Sequence, residues 1–270
     1  MHSLSAPLAC SLLVLACATS AAAAPHPRAV NDGVVRLRSS TFLAGWGYDD
    51  AGVRTEDPPF SAETVALLVE AGVAPRLTLA ASLPLVWLEE SSRPSTGDAV
   101  LAGLLAVLEP GADPLSLALA LELKLPLYDG APTTRGRNLD GSPALGDGQV
   151  DVTAGAIMVA PLPLGGALDL HLGYRLRTGG ITDAVVGGGR FGVWLLAKRI
   201  FVSAVLDTVI TLLPDEDSND VIGRGYASIG PRASVRIVDR VFLDVGIAYV
   251  GRGTNAPGGT DLMFGASAGF

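Results

Sequence analysis

Apolar side chains recur at every second position through most of this chain. Between 115 and 127, Leu115, Leu117, Leu119, Leu121, Leu123, Leu125 and Leu127 alternate with Ser116, Ala118, Ala120, Glu122, Lys124 and Pro126. Leu168, Leu170, Leu172, Tyr174 and Leu176 alternate with Asp169, His171, Gly173, Arg175 and Arg177, and Val241, Leu243, Val245, Ile247 and Tyr249 with Phe242, Asp244, Gly246 and Ala248. A period of two puts each set on its own face of an extended strand. A helix would bring Asp169 and Leu172 together, which suits neither. The segments 61–72 and 98–108 also fit short amphipathic helices, with Ser61 or Asp98 as N-cap. Each stands one tight turn from a clear strand, and the extended reading is preferred.

The whole chain then reads as strands at 34–48, 62–73, 76–88, 98–108, 115–127, 148–160, 167–178, 184–197, 200–213, 221–237, 240–251 and 260–270. Their connections alternate in length. Short ones fall at 74–75, 109–114, 161–166, 198–199 and 238–239, and longer polar ones at 49–61, 89–97, 128–147, 179–183, 214–220 and 252–259. Outer-membrane barrels show this asymmetry, with an even strand number, short periplasmic turns and longer outer loops. No segment after the first 24 residues offers a membrane-length apolar helix, because the longest uncharged stretch, 152–168, contains Pro161, Pro163, Gly165 and Gly166. A chain that spans lipid without helices must close its sheet to satisfy the backbone. The predicted fold is all-β: a transmembrane up-and-down antiparallel β-barrel of about twelve strands, of outer-membrane type.

Composition fits that reading. Of the 270 residues 49% are hydrophobic and 17% charged, against about 25% charged in soluble domains. Aromatics make up 6% and glycine is abundant, with 33 residues. A thin wall between lipid and a close-packed interior can be built from Leu, Val, Ala and Gly. The first 24 residues read as a secretory signal, with an apolar stretch from Leu8 to Ala18, small residues to Ala24 and then Pro25. The expected organisation is therefore 1–24 signal peptide and 25–270 a single barrel, exported through the periplasm. Cys10 and Cys17 both lie in the signal, and Val14-Leu15-Ala16-Cys17 faintly resembles a lipidation box. The remainder has no cysteine for a disulfide, a thiol nucleophile or a thiolate metal site. A net charge of −8 argues against nucleic acid as a partner. The expected surroundings are outer-membrane lipid and lipopolysaccharide.

If the leucine faces meet lipid, the alternate positions line the lumen. They include Glu70, Glu122, Lys124, Asp151, Asp169, His171, Arg175, Arg177, Arg190, Asp207, Arg224, Arg232, Arg236 and Asp244. Arginine dominates the cations, since only Lys124 and Lys198 are lysine, and it pairs bidentately with carboxylates. These charges read as an ion-pair ladder crosslinking facing walls. A sharper reading makes Arg224, Arg232 and Arg236 a basic track for anionic solutes. By the same register Leu121→Arg disturbs the lipid face, whereas Ser116→Arg, facing inward, is expected to be better tolerated.

Support for catalysis is thin. His26 and His171 are the histidines outside the signal, and His171 alternates with leucines. No His/Cys cluster suits a metal, and no cofactor is expected. The acidic run Asp215-Glu216-Asp217-Ser218-Asn219-Asp220 lacks EF-hand spacing and reads as a solvated loop. Gly187-Gly188-Gly189 sits inside a strand pattern with no helix following, so it reads as bending or close wall packing.

The chain ends in Leu262, Phe264, Ala266, Ala268 and Phe270. This resembles the last-strand signal of outer-membrane barrels, which implies Phe264 and Phe270 as elements recognised by the barrel-insertion machinery. A further resemblance covers most of the chain. The run from Ala71 to Leu85, Gly97-Asp98 opening the next strand, Lys124-Leu125-Pro126 and Gly146-Asp147-Gly148 look like landmarks of the outer-membrane transporter family named for the meta pathway of phenol degradation. Ala71-Gly72 and Ala74-Pro75 stand where members often carry Tyr-Gly and Thr-Asp. The resemblance implies a barrel for uptake of small hydrophobic or aromatic molecules. The expected function is passive uptake of a small solute across the outer membrane. The alternatives are a structural or adhesive barrel with a plugged lumen, and a lipid-modifying barrel enzyme.

Overall fold

The computed structural model describes residues 28–57, 59–88, 95–108, 115–128, 148–213 and 224–270. Twelve strands form the wall: β1 (Gly33–Tyr48), β2 (Phe60–Ala74), β3 (Leu77–Leu88), β4 (Asp98–Leu108), β5 (Ser116–Pro126), β6 (Asp151–Leu162), β7 (Gly166–Arg177), β8 (Ala184–Leu195), β9 (Ile200–Thr211), β10 (Gly225–Val238), β11 (Val241–Thr254) and β12 (Ala256–Gly269). Each pairs antiparallel with its sequence neighbours, and β12 pairs with β1 from Val34↔Gly269 to Tyr48↔Ala256. That last seam closes the sheet and leaves no free edge. Two-residue strands at Arg54–Thr55 and Ser95–Thr96 extend it beside β1 and β3. Among the described residues no helix is long and apolar enough to cross a membrane. The segments 61–72 and 98–108 are strands.

The period-two pattern becomes two solvents. Leu119, Leu121, Leu172, Ile210, Ile229 and Phe264 stand outward and exposed, and Leu121 is 58% accessible. Their alternates Ala118, Lys124, Asp169, Asp207 and Met263 are buried. A continuous outer belt of large aliphatic residues is what acyl chains, not water, accommodate. The C-terminal strand follows the rule, with Phe264 and Phe270 exposed on the outer face.

At the end carrying both termini the turns are short: Pro75–Arg76, a 3₁₀ turn at Pro163–Gly165, residues 196–199 and residues 239–240. Arg76 and Arg240 take positive φ in their turns, and Leu196, Ala197 and Lys198 do so in succession. The opposite end departs from expectation at one place. The loop predicted at 252–259 does not exist, because β11 and β12 run on to meet at Asn255. Gly258 and Gly259 are strand residues, and a Cβ at Gly259 would lie 2.1 Å from the Leu43 carbonyl oxygen. These glycines let β12 approach β1, which is why turn-type residues sit in a strand. The predicted signal 1–24 with Cys10 and Cys17, His26, the connection 109–114 and the acidic run 215–220 lie outside the described residues.

Candidate functional site in the barrel interior

Apolar and charged groups share the barrel interior. At the loop end Phe42, Ala44, Phe60, Ala62, Ala184, Val186, Val209, Tyr226, Val250 and Ala256 form one buried apolar cluster. The Phe42 and Phe60 rings pack tilted, with centroids 6.4 Å apart. Strand alternation delivers these residues to the inner face, where they pack against one another with almost no exposed surface.

Charges occur at both ends, and the first group sits where three wall strands meet the longer loops. Lys124 on β5 lies 2.8 Å from Asp151 on β6 and 3.7 Å from Asp98 on β4. All three are almost fully buried. One cation held between two carboxylates across three consecutive strands bolts the wall together. Removing the cation alone would strand two buried anions, a situation that typically costs about 3–5 kcal/mol. Glu122, Thr153 and Arg175 stand in register on β5, β6 and β7. The Arg175 Nε–H donates to Thr153 Oγ1 at 3.2 Å, and its guanidinium reaches Glu122 at 3.9 Å. Asp169 and Arg190 are direct cross-strand partners joined through the guanidinium. Asp207 and Arg232 approach to 3.8 Å. Glu70 receives Arg28 at 2.8 Å and Arg36 at 3.6 Å.

These pairs correct one expectation. They join adjacent or next-adjacent strands and run around the wall, rather than crosslinking facing walls through the lumen. The reason is register: antiparallel pairing sets inward side chains about 5 Å apart across a seam, nearer than any group on the far side.

The remaining predicted lumen residues have distinct surroundings. His171 stands on β7 opposite Gly188, which itself faces Asp207 on β9. A Cβ at Gly188 would meet the Leu206 carbonyl oxygen at 2.3 Å and the His171 ring at 2.8 Å, so this glycine serves close wall packing. Arg177 donates from Nη2 to the Arg224 carbonyl at 2.8 Å. Arg224 is buried immediately before β10 rather than within it, and its Nε and Nη2 lack hydrogen-bond partners among the described residues. Asp244 accepts a hydrogen bond from the Ser234 hydroxyl. Arg236 pairs in register with Phe242.

Three features were not anticipated. Arg36 and Arg38 alternate with Val35 and Leu37 on β1, so the same period-two rule could have found them. Arg28 enters the interior from the N-terminal side, donating its backbone N–H to Thr78 Oγ1 at 2.6 Å and its guanidinium to Glu70. Its chain passes over Gly72, where a Cβ would lie 2.1 Å from the Ala29 carbonyl oxygen. Finally, Trp194, Phe201 and Phe242 gather from β8, β9 and β11, with Trp194 5.1 Å from Phe201 and 6.5 Å from Phe242. These aromatics and the arginines Arg36, Arg38, Arg190 and Arg232 line a cavity of about 570 Å³ at the end with the termini.

No protein-family model and no curated protein sequence matches the chain. Solved structures do. An outer membrane channel from Pseudomonas putida F1 superposes with a TM-score of 0.69 at 15% identity, covering 92% of this chain and 98% of that one. The KdgM porin, solved in complex with disordered oligogalacturonate, superposes with a TM-score of 0.54 at 10% identity over 88% of this chain and 99% of that one. At such identities the likeness is one of fold. The chain is a twelve-stranded β-barrel of the outer-membrane type.

Proposed function

We propose that this barrel is a passive channel for small aromatic molecules, within or close to the transporter family named for the meta pathway of phenol degradation. The observation that carries the reading is the cavity of about 570 Å³ at the end with the termini, whose lining joins aromatic rings and other apolar side chains to arginines. By the loop-length rule that end faces the periplasm. An aromatic solute in the cavity exchanges water for contact with the rings. A cavity of roughly 150 Å³ holds benzene, so this chamber admits a substituted ring with room for water. The ion pairs that hug the wall keep the charges on their partners and leave the axis to the solute. The solved relatives include proteins described as an outer membrane channel and a porin, which is consistent with this role.

The buried Lys124 cluster favours a second reading, a structural barrel whose interior is filled by its own side chains. Flux separates the two. Proteoliposomes carrying the barrel should take up phenol faster than empty vesicles. Uptake equal to that of empty vesicles for phenol and toluene alike would leave the structural reading. A lipid-modifying role receives little from the geometry, since His171 stands on the inner face, away from lipid.

A further inference from the structure

Among the described residues, two bulges break the strand alternation at the loop end, and both change what the outer face carries. On β1 the register against β12 slips between Ala44 and Trp46. Phe42 and Ala44 are buried inside, so strict alternation would send Trp46 inward as well. The slip at Gly45 turns the indole outward instead, over Gly258 of β12 and 5.7 Å from the Tyr249 ring. On β11 the register against β10 slips between Ala227 and Ser228 and leaves Gly251 unpaired. Val250 faces inward. After the slip Arg252 pairs with Ala227, between the inward Tyr226 and Ser228, and so stands outside and exposed. Bulges re-aim side chains in this way. Arg54 completes the group. It pairs with Tyr48 in the short strand beside β1, and its guanidinium carbon lies 4.4 Å from the Trp46 ring centroid. The turn that delivers Arg54 is held by Asp49, whose carboxylate accepts the Ala51 and Val53 N–H groups at 3.0 and 2.7 Å.

We propose that this corner of the outer wall binds the phosphorylated disaccharide of lipopolysaccharide, the glycolipid of the outer leaflet. The loop end faces outward, so the site goes beyond the channel reading and does not depend on it. Three chemistries follow one another along β11. Leu243, Val245 and Ile247 are exposed aliphatics, Tyr249 comes next beside Trp46, and Arg252 and Arg54 stand beyond the rings. That is the order of acyl chain, interface and anionic headgroup. Aromatic rings settle at the membrane–water interface, and a guanidinium takes a phosphate through paired N–H donors. Among the described residues neither arginine is in an ion pair; Arg54 rests on the Trp46 ring. Cation–π contact orients that guanidinium while leaving its outer donors open. Spacing selects the ligand. Three inter-strand steps separate the two arginine backbones, roughly 14 Å along the wall at about 4.8 Å each. A diglucosamine phosphorylated at both ends suits that span better than a single phosphate does.

The test is native mass spectrometry of the full-length barrel in a neutral detergent, titrated with lipid A, dephosphorylated lipid A and phosphatidylglycerol. EDTA is present throughout, so that divalent cations do not bridge phosphate to the exposed carboxylates of Asp50 and Glu56. The wild-type barrel should retain one lipid A at a concentration well below that needed for either other lipid. Arg54→Gln and Arg252→Gln should each weaken retention by about tenfold, the usual worth of a hydrogen bond to a charged group. Arg54→Lys should keep part of the affinity. Lys198→Gln with Arg199→Gln, exposed at the end with the termini, should leave lipid A binding unchanged. Phosphatidylglycerol or dephosphorylated lipid A held as strongly as lipid A overturns the site without any variant. So does lipid A retention indifferent to both arginine substitutions in a protein still shifted by boiling on electrophoresis. A loss confined to the Lys198 and Arg199 variant would place the glycolipid at the other end and overturn it too. Solute flux enters none of these outcomes, so the site and the channel stand or fall separately.

Discussion

Leu121 and Glu122 are neighbours in the chain and belong to different solvents. Leu121 stands outward and is 58% accessible, while Glu122 lies inside within reach of Arg175. A cation at Leu121 would sit in hydrocarbon near mid-strand, so Leu121→Arg should lose about 2–4 kcal/mol, whereas Leu121→Phe should stay near neutral. Reversible unfolding by guanidinium in the presence of lipid vesicles measures both. The companion expectation, that Ser116→Arg would be accepted because it faces inward, is corrected by the structure. Ser116 is 1% exposed, and an arginine there would have to displace packed neighbours. Facing inward and having room are separate properties. Alternation tells which side chains leave the lipid, but the crowding they meet is set by strands that are distant in sequence.

At the level of elements, the strands were legible wherever apolar and polar positions alternate cleanly. The segment Asp98–Leu108 matches its predicted bounds, and β5 and β7 fall within a residue of theirs. The β11–β12 hairpin was misread because Gly253, Pro257, Gly258 and Gly259 are turn formers. Here the glycines permit contact with β1: a Cβ at Gly258 would meet the Trp46 indole nitrogen at 1.8 Å. A glycine demanded by a neighbouring strand looks the same in sequence as one demanded by a turn. The β8–β9 turn offers the converse. Leu196, Ala197 and Lys198 all have positive φ, between 48° and 64°, where an L side chain costs roughly 1–2 kcal/mol. Ala197→Gly removes the Cβ responsible and should raise stability by about 1 kcal/mol, offset in part by the added freedom of the unfolded chain. A higher denaturant midpoint with an unchanged slope would register the gain.

For the whole molecule, what escaped the sequence was register. Asp169 and Arg190, or Glu122, Thr153 and Arg175, become a site only when seams align them, and the Trp194–Phe201–Phe242 cluster draws on three strands. Composition supplied the charges and rings but not their neighbours. It was therefore possible to expect an ion-paired interior and yet picture the pairs spanning the lumen. The molecule instead carries its charges on the wall, and the cavity at the end with the termini underlies the proposed channel.

All of it depends on a closed wall whose alternate residues face lipid and an enclosed interior. Single cysteines placed in turn from 117 to 123 on β5, each carrying a polarity-sensitive fluorophore in a barrel reconstituted with nitroxide-labelled lipid, test that arrangement directly. Strong quenching at 117, 119, 121 and 123 with weak quenching at 118, 120 and 122 is the expected result. Uniform quenching along the strand, or a maximum recurring every three to four residues, would contradict it.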